Sequence, residues 1–208
     1  MNNIPSPLQA YIEECIIPQY EHFDKAHQIT HVRSVIEESM KLACHYDVNR
    51  YMVYAIAAFH DLGLKENRER HHILSAEMIR TDERLKEWFN EEEIQIMAEA
   101  AEDHRASNNH APRSIYGMIV AEADRNIEPY TILQRTVQYG LSHYPHLSKE
   151  EHYQRYYNHL LEKYAEGGYM KLWIPQSSNS QGLTALRNMI SDKNKLRNLF
   201  DAIYENEK

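Results

Sequence analysis

Apolar residues recur along the chain at spacings of three and four, the period of a helix that buries one stripe, and no stretch couples strand alternation with regular turn signals. The pattern predicts an all-α protein. Leu8, Tyr11, Ile12, Cys15 and Ile16 make a first stripe that Pro18 is expected to end. A longer helix, from about Asp24 to Tyr46, carries Ile29, Val32, Val35, Ile36, Met40 and Ala43 on its apolar face. Within it His27 and His31 are four apart and share a side, and His31 lines up with Val35 and Leu42 so that it points inward, whereas His27 is equally readable as solvated. After Asp47-Val48-Asn49, with Asn49 as N-cap, the stretch Arg50 to His60 is apolar nearly all round, which marks a central, buried helix. It delivers His60-Asp61, and Gly63 is expected to let the chain turn away without a Cβ penalty.

The run His71-His72-Ile73-Leu74-Ser75-Ala76 opens another helix, with small residues that permit close approach to a neighbour. Asn90 with Glu93 is a capping box for a helix from Glu91 to about His104, and Pro112 is expected to begin one that ends at Asp124-Arg125. Pro129 starts a helix predicted to stop near Tyr139-Gly140; Ser148 with Glu151 caps another, which runs to Gly167-Gly168. A final helical region spans about Leu183 to Tyr204, after a loop from Tyr169 to Ser180. The tyrosines from Tyr139 to Tyr169 could line a pocket or a homodimer interface; packing between helices is the simpler reading. At 208 residues the chain fits a single domain.

Charge and composition narrow the function. A formal net charge of −8 argues against nucleic-acid polymers and anionic membranes, which need a basic footprint. A small phosphorylated substrate stays admissible, because one divalent ion and a few arginines reverse the field locally. No apolar run reaches the roughly 18 to 20 residues that span a bilayer, and Met1-Asn2-Asn3-Ile4-Pro5 lacks a signal-peptide start, so the expected location is cytoplasmic. Cys15 and Cys44 read as reduced core thiols. Thirteen histidines are the unusual feature. His60 and Asp61 together offer a neutral nitrogen and an anionic oxygen, donors suited to Mn, Fe, Co, Ni, Zn or Mg. On a surface they would be an ordinary polar helix end. Carried into an interior, an unpaired carboxylate is costly, and a bound cation offsets that cost.

His31, His60-Asp61 and Asp124 stand on separate helices, with His71 and His104 as further candidates. Their order, in the strings HQITHV, AAFHDLG, RHHILSA, AEDHR and AEADR, resembles the HD-domain superfamily of metal-dependent phosphohydrolases over roughly Asp24 to Asp124. The resemblance implies an all-α helical bundle whose metal-binding core covers about 24–126, and the apolar periodicity beyond it reads as a helical C-terminal extension at about 129–207. It implies that His31, His60, Asp61 and Asp124 bind a divalent metal, and that His71 and His104 hold a second ion or face the substrate phosphate. The implied activity is hydrolysis of a nucleotide or other small phosphorylated metabolite by a metal-activated water. Asp61 would also accept the water's proton. Some branches carry a lysine directly after the His-Asp-x-Gly run; here that position is Leu64, and Lys65 follows as the candidate that assists the reaction. Arg68 and Arg70 are candidate phosphate clamps, against the simpler reading of an exposed charged loop. The competing functions are a two-metal phosphodiesterase and a non-catalytic binding module stabilised by its metal. His22, His45, His72, His110, His143, His146, His152 and His159 read as surface or packing histidines.

Overall fold

In the computed structural model, which describes residues 4–24 and 27–208, the helical periodicity is realised as ten α-helices, with no strand among the described residues. The N-terminal Met1, Asn2 and Asn3, and Lys25 and Ala26 near the expected start of the second helix, lie outside the described residues. The chain divides into two units: one runs to Arg125 and takes in Trp173–Ser177, and the other comprises Asn126–Leu172 and Ser178–Lys208. Length alone does not reveal that division.

The first unit contains α1 (Ser6–Tyr11), a π-helical turn (Ile12–Ile16), a 3-10 turn (Ile17–His22), α2 (Ile29–Ala43), α3 (Arg50–Phe59), a second 3-10 turn (Leu62–Lys65), α4 (His71–Thr81), α5 (Glu91–Asp103) and α6 (Ile115–Asp124). Every residue of α3 from Met52 to Phe59 is buried, and the helix packs on α2, α5 and α6. That burial follows from its all-round apolar sequence. It makes α3 the axis on which the site is hung. Asn49 caps it by accepting from the Tyr51 amide at 3.0 Å, and Asn90 and Glu93 close the expected capping box on α5. The second unit contains α7 (Pro129–His143), α8 (Lys149–Tyr164, with the Ser148–Glu151 capping box), α9 (Asn179–Ser191) and α10 (Lys193–Glu207).

Several local expectations are corrected. Pro18 does not end the first helical stretch; it sits in the opening turn of Ile17–His22, where its missing N–H leaves no helical bond unmade. The π-helical turn before it turns Cys15 outward, and Cys44 caps α2 with its thiol donating to the Met40 carbonyl, so both free thiols are exposed rather than buried in the core. His27 precedes α2 instead of riding on it, held in a turn by the Asp24 carboxylate at 2.8 Å. Ser114 caps α6 and moves its start from Pro112 to Ile115. The helix α7 runs through Gly140 to His143, and the glycine makes room for a neighbour, since a Cβ there would stand 2.7 Å from Arg155 Nη2. The last region breaks into α9 and α10 at Asp192, which accepts from the Lys195 amide at 3.0 Å.

Candidate metal centre

Two helix ends and one helix start converge in the first unit. His31 lies in the first turn of α2, His60 and Asp61 follow the last residue of α3, and Asp124 is the last residue of α6. One donor atom from each of the four lies within 4.8 Å of every other. His60 is fully buried and Asp61 is 3 % exposed, so the all-apolar helix does carry the pair inward. His31 Nε2 stands 3.2 Å from Asp124 Oδ1 and 3.6 Å from Asp61 Oδ2, while His60 Nε2 stands 3.3 Å from Asp61 Oδ2.

Both imidazoles aim Nε2 into the cluster. His60 is oriented by its other nitrogen, where Nδ1–H donates to the Ala57 carbonyl at 2.8 Å, three residues back along the helix. That bond fixes the tautomer and leaves Nε2 as a lone-pair donor. His31 Nε2 and His60 Nε2 are buried without an aligned hydrogen bond, a costly arrangement for polar atoms unless something else engages them. Two imidazole nitrogens and two carboxylates suit a first-row divalent ion or magnesium. The group is therefore able to hold a metal.

A second group shares Asp61 with the first. Asp61 Oδ2 faces His31 and His60, and Oδ1 faces His71 Nε2 at 3.5 Å and His104 Nε2 at 3.4 Å. His71 and His104 use the same device as His60, with Nδ1–H donating to the Arg68 carbonyl at 2.8 Å and to the Ala101 carbonyl at 2.5 Å. Their Nε2 atoms meet at 3.2 Å. Since both Nδ1 atoms already carry donated protons, that contact needs one imidazolium. Burial and the neighbouring His104 push His71 down to about 4. For His104 burial acts the same way, but the Asp61 and Asp124 carboxylates outweigh it and raise the pKa. His104 is therefore the proton holder and His71 the neutral acceptor.

The carboxylates respond in kind. Burial disfavours the Asp61 anion, but the field of His60 and the contacts from His104 and His31 hold its pKa well below the usual carboxylate range. Asp124 is likewise held low, against burial, chiefly by His31 and His60. Burial would lower the pKa of His31, yet the facing Asp124 and Asp61 raise it to about 10.

The charged candidates of the intervening loop do not join this cluster. Lys65 is exposed and donates to Gln19 at 3.3 Å, Arg68 is exposed and pairs with Asp24 at 2.6 Å, and Arg70 is exposed at the start of α4. The part of Arg68 that reaches the site is its backbone carbonyl. Gly63 also acts differently from the turn expected of it. It lies within Leu62–Lys65, where a Cβ would stand 2.2 Å from the His71 carbonyl oxygen, so what it permits is close approach to α4. Its amide donates to the buried Ser75 hydroxyl at 2.9 Å.

Three supporting residues have no signature in the sequence. The hydroxyl of Tyr20 donates to the Ala58 carbonyl at 2.9 Å and accepts from the Asp61 amide at 3.3 Å. Arg105 ties the loop after α5 to the loop before α4 by donating to the Glu69 carbonyl at 2.6 Å. Glu122, fully buried two residues before Asp124, accepts from the Trp173 amide at 2.7 Å and from the Ser177 hydroxyl. Only Ser75 was marked in advance, through its small size.

Comparison with known proteins agrees with this geometry. A model of the HD domain matches residues 29–126. No curated protein gives a significant match. Among solved structures, a predicted HD superfamily hydrolase from an uncultured Thermotogales bacterium is similar in fold, with a TM-score of 0.51, 20 % identity, and coverage of 73 % of this chain and 83 % of that one. His31, His60, Asp61, His71, His104 and Asp124 all lie inside the matched segment, and residues 29–126 are an HD domain.

Proposed function

We propose that this protein is a metal-dependent phosphohydrolase acting on a nucleotide or another small phosphorylated metabolite. The observation that carries the reading is Asp61, a buried carboxylate that turns one oxygen toward His31 and His60 and the other toward His71 and His104. His31, His60, Asp61 and Asp124 would hold a divalent ion. Such an ion supplies Lewis acidity toward a phosphoryl oxygen and toward water near neutral pH. Around it the side chains have separate tasks. Asp61 Oδ1, on the side away from His31 and His60, is the base that accepts a proton from the attacking water. His104, the proton holder, presents Nε2–H to an equatorial phosphoryl oxygen or to the leaving oxygen. The Nδ1 bonds to Ala57, Arg68 and Ala101 keep these rings from rotating as charge develops. Lys65, Arg68 and Arg70 are left as exposed groups whose side chains make no hydrogen bond or ion pair to the cluster among the described residues.

A second reading, hydrolysis with two ions, is favoured by one observation: Asp61, His71 and His104 by themselves form a three-donor group. An ion there would replace the proton that His71 and His104 share. The test is metal content of the purified full chain, followed by phosphate release from a panel of nucleotides and phosphorylated metabolites with added Mn, Co, Ni, Zn or Mg. At least one ion per chain is expected, with turnover lost by 10³-fold or more in Asp61→Ala, of the order seen when metal and general base fail together. Two ions per chain would select the second reading. A chain without stoichiometric metal, whose Asp61→Ala variant is as active as the wild type, would sink both.

A further inference from the structure

We propose that Tyr20, upstream of the matched HD segment, is a positioning residue that sets the backbone of Asp61 for metal binding by bridging the end of α3 to the Asp61 amide through its hydroxyl. The inference rests on the reading of His31, His60, Asp61 and Asp124 as a metal site. Its support is geometric. Tyr20 is among the largest fully buried side chains in the protein, with its ring packed on Phe23 at a centroid distance of 5.0 Å. A core position that needed only volume would be served by phenylalanine, since a buried hydroxyl must find partners or lose stability. This one finds two, and both belong to the same corner of the chain.

The corner is where α3 stops. Its last carbonyls have no helical partners, and Tyr20 supplies a donor to Ala58 at 2.9 Å. The chain then bends into Leu62–Lys65 through Asp61, whose amide returns a hydrogen bond to the same oxygen at 3.3 Å. One oxygen thereby fixes the separation between the residue that precedes the His60-Asp61 pair by two positions and the Asp61 backbone itself. The orientation matters because Asp61 must offer its two oxygens in opposite directions, and a small rotation at its Cα would withdraw one of them. Tyr20 is in turn held by its own segment: Ile16 and Ile17 are buried beside it, and Ile17–His22 packs on α2, which carries His31. The segment before the HD domain is therefore part of how the site is aimed.

The experiment uses the full chain and Co²⁺ alone. Affinity is measured by titration at 25 °C, the ligand geometry by the visible absorption of the bound ion, and stability by thermal melting of the metal-free protein. Tyr20→Phe keeps the ring and deletes the bridge. The expected result is roughly tenfold weaker Co²⁺ binding with an altered absorption band, the size found when a group that orients a ligand is removed. The control is Tyr156→Phe, which deletes a buried hydroxyl that has no hydrogen-bond partner and stands in the second unit; it is expected to leave Co²⁺ affinity unchanged. A Tyr20→Phe affinity and spectrum equal to wild type overturns the proposal, even if its melting temperature falls. Should Tyr20→Phe fail to fold, amide exchange in the wild type decides: a protected Asp61 amide supports the bridge, and an amide exchanging as fast as the exposed loop at Glu66–Glu69 refutes it. Wild-type protein that binds no Co²⁺ refutes the metal reading instead, and so separates the two failures.

Discussion

His31 faces two carboxylates, and that contact fixes the sign of a pH effect. With its pKa raised to about 10, the imidazole of metal-free protein holds a proton at neutral pH, and an ion must displace it. Metal affinity is therefore expected to rise about tenfold per pH unit between pH 6 and 8 for one displaced proton. Calorimetry in two buffers of different ionisation enthalpy would register the released proton, and a dissociation constant that ignores pH would contradict the assignment. The same shift has a stability side. Because the folded value lies above the unfolded one, the contribution of His31 to metal-free stability is complete below pH about 6.5 and is lost as pH rises toward about 10. The sequence allowed His31, His60, Asp61, His71, His104 and Asp124 to be picked out because donor chemistry restricts each to a few residue types. It hid Tyr20, and it showed Ser75 only as a small residue, because the hydroxyls of both serve backbone groups, which place no demand on any other side chain. Lys65 and Arg68 illustrate the opposite error, since closeness in sequence to Asp61 did not bring their side chains to it.

Between elements, the approach of Leu62–Lys65 to α4 is the tightest constraint on the site. Gly63 admits the His71 backbone to a distance that no side chain at that position allows, and Ser75 completes the contact through the Gly63 amide. Gly63→Ala must push α4 away, and His71 with it. A loss of about 2–3 kcal/mol is expected in denaturant unfolding, the upper part of the range for overpacking against backbone. His71 faces Asp61 from that helix, so a second ion, where one binds, should be lost before the first. Unchanged stability in Gly63→Ala would mean that the two elements slide apart freely. Features of this scale were legible when their cause was local: the capping boxes at Asn90 and Ser148 needed only a four-residue window. Gly140 was misread as a helix end because the reason for a glycine there, the Arg155 guanidinium, comes from another helix. Asp192 was missed because a single capping residue inside an apolar period does not interrupt the period.

Across the whole molecule, the all-α class followed from periodicity, which every helix repeats, while the division into two units did not, because it depends on where a distant segment returns. Trp173–Ser177 rejoins the first unit through Glu122, whose carboxylate accepts from the Trp173 and Ile174 amides and the Ser177 hydroxyl. No helix among the described residues is long and apolar enough to cross a membrane. Glu122→Ala should cost about 2–3 kcal/mol, as expected when buried donors lose their acceptor. Thermal melting of the full-length variant would measure it, and a melting temperature within a degree of wild type would show that the segment is held by other means. Protein synthesis gives this connection a temporal meaning. The ribosome releases α6 and Glu122 well before Trp173, and both α7 and α8 are made in the interval. A nascent chain halted at that stage has the whole HD segment outside the exit tunnel but lacks those closing hydrogen bonds, so the site-bearing unit is completed out of order, late in translation, and a chaperone would meet it open.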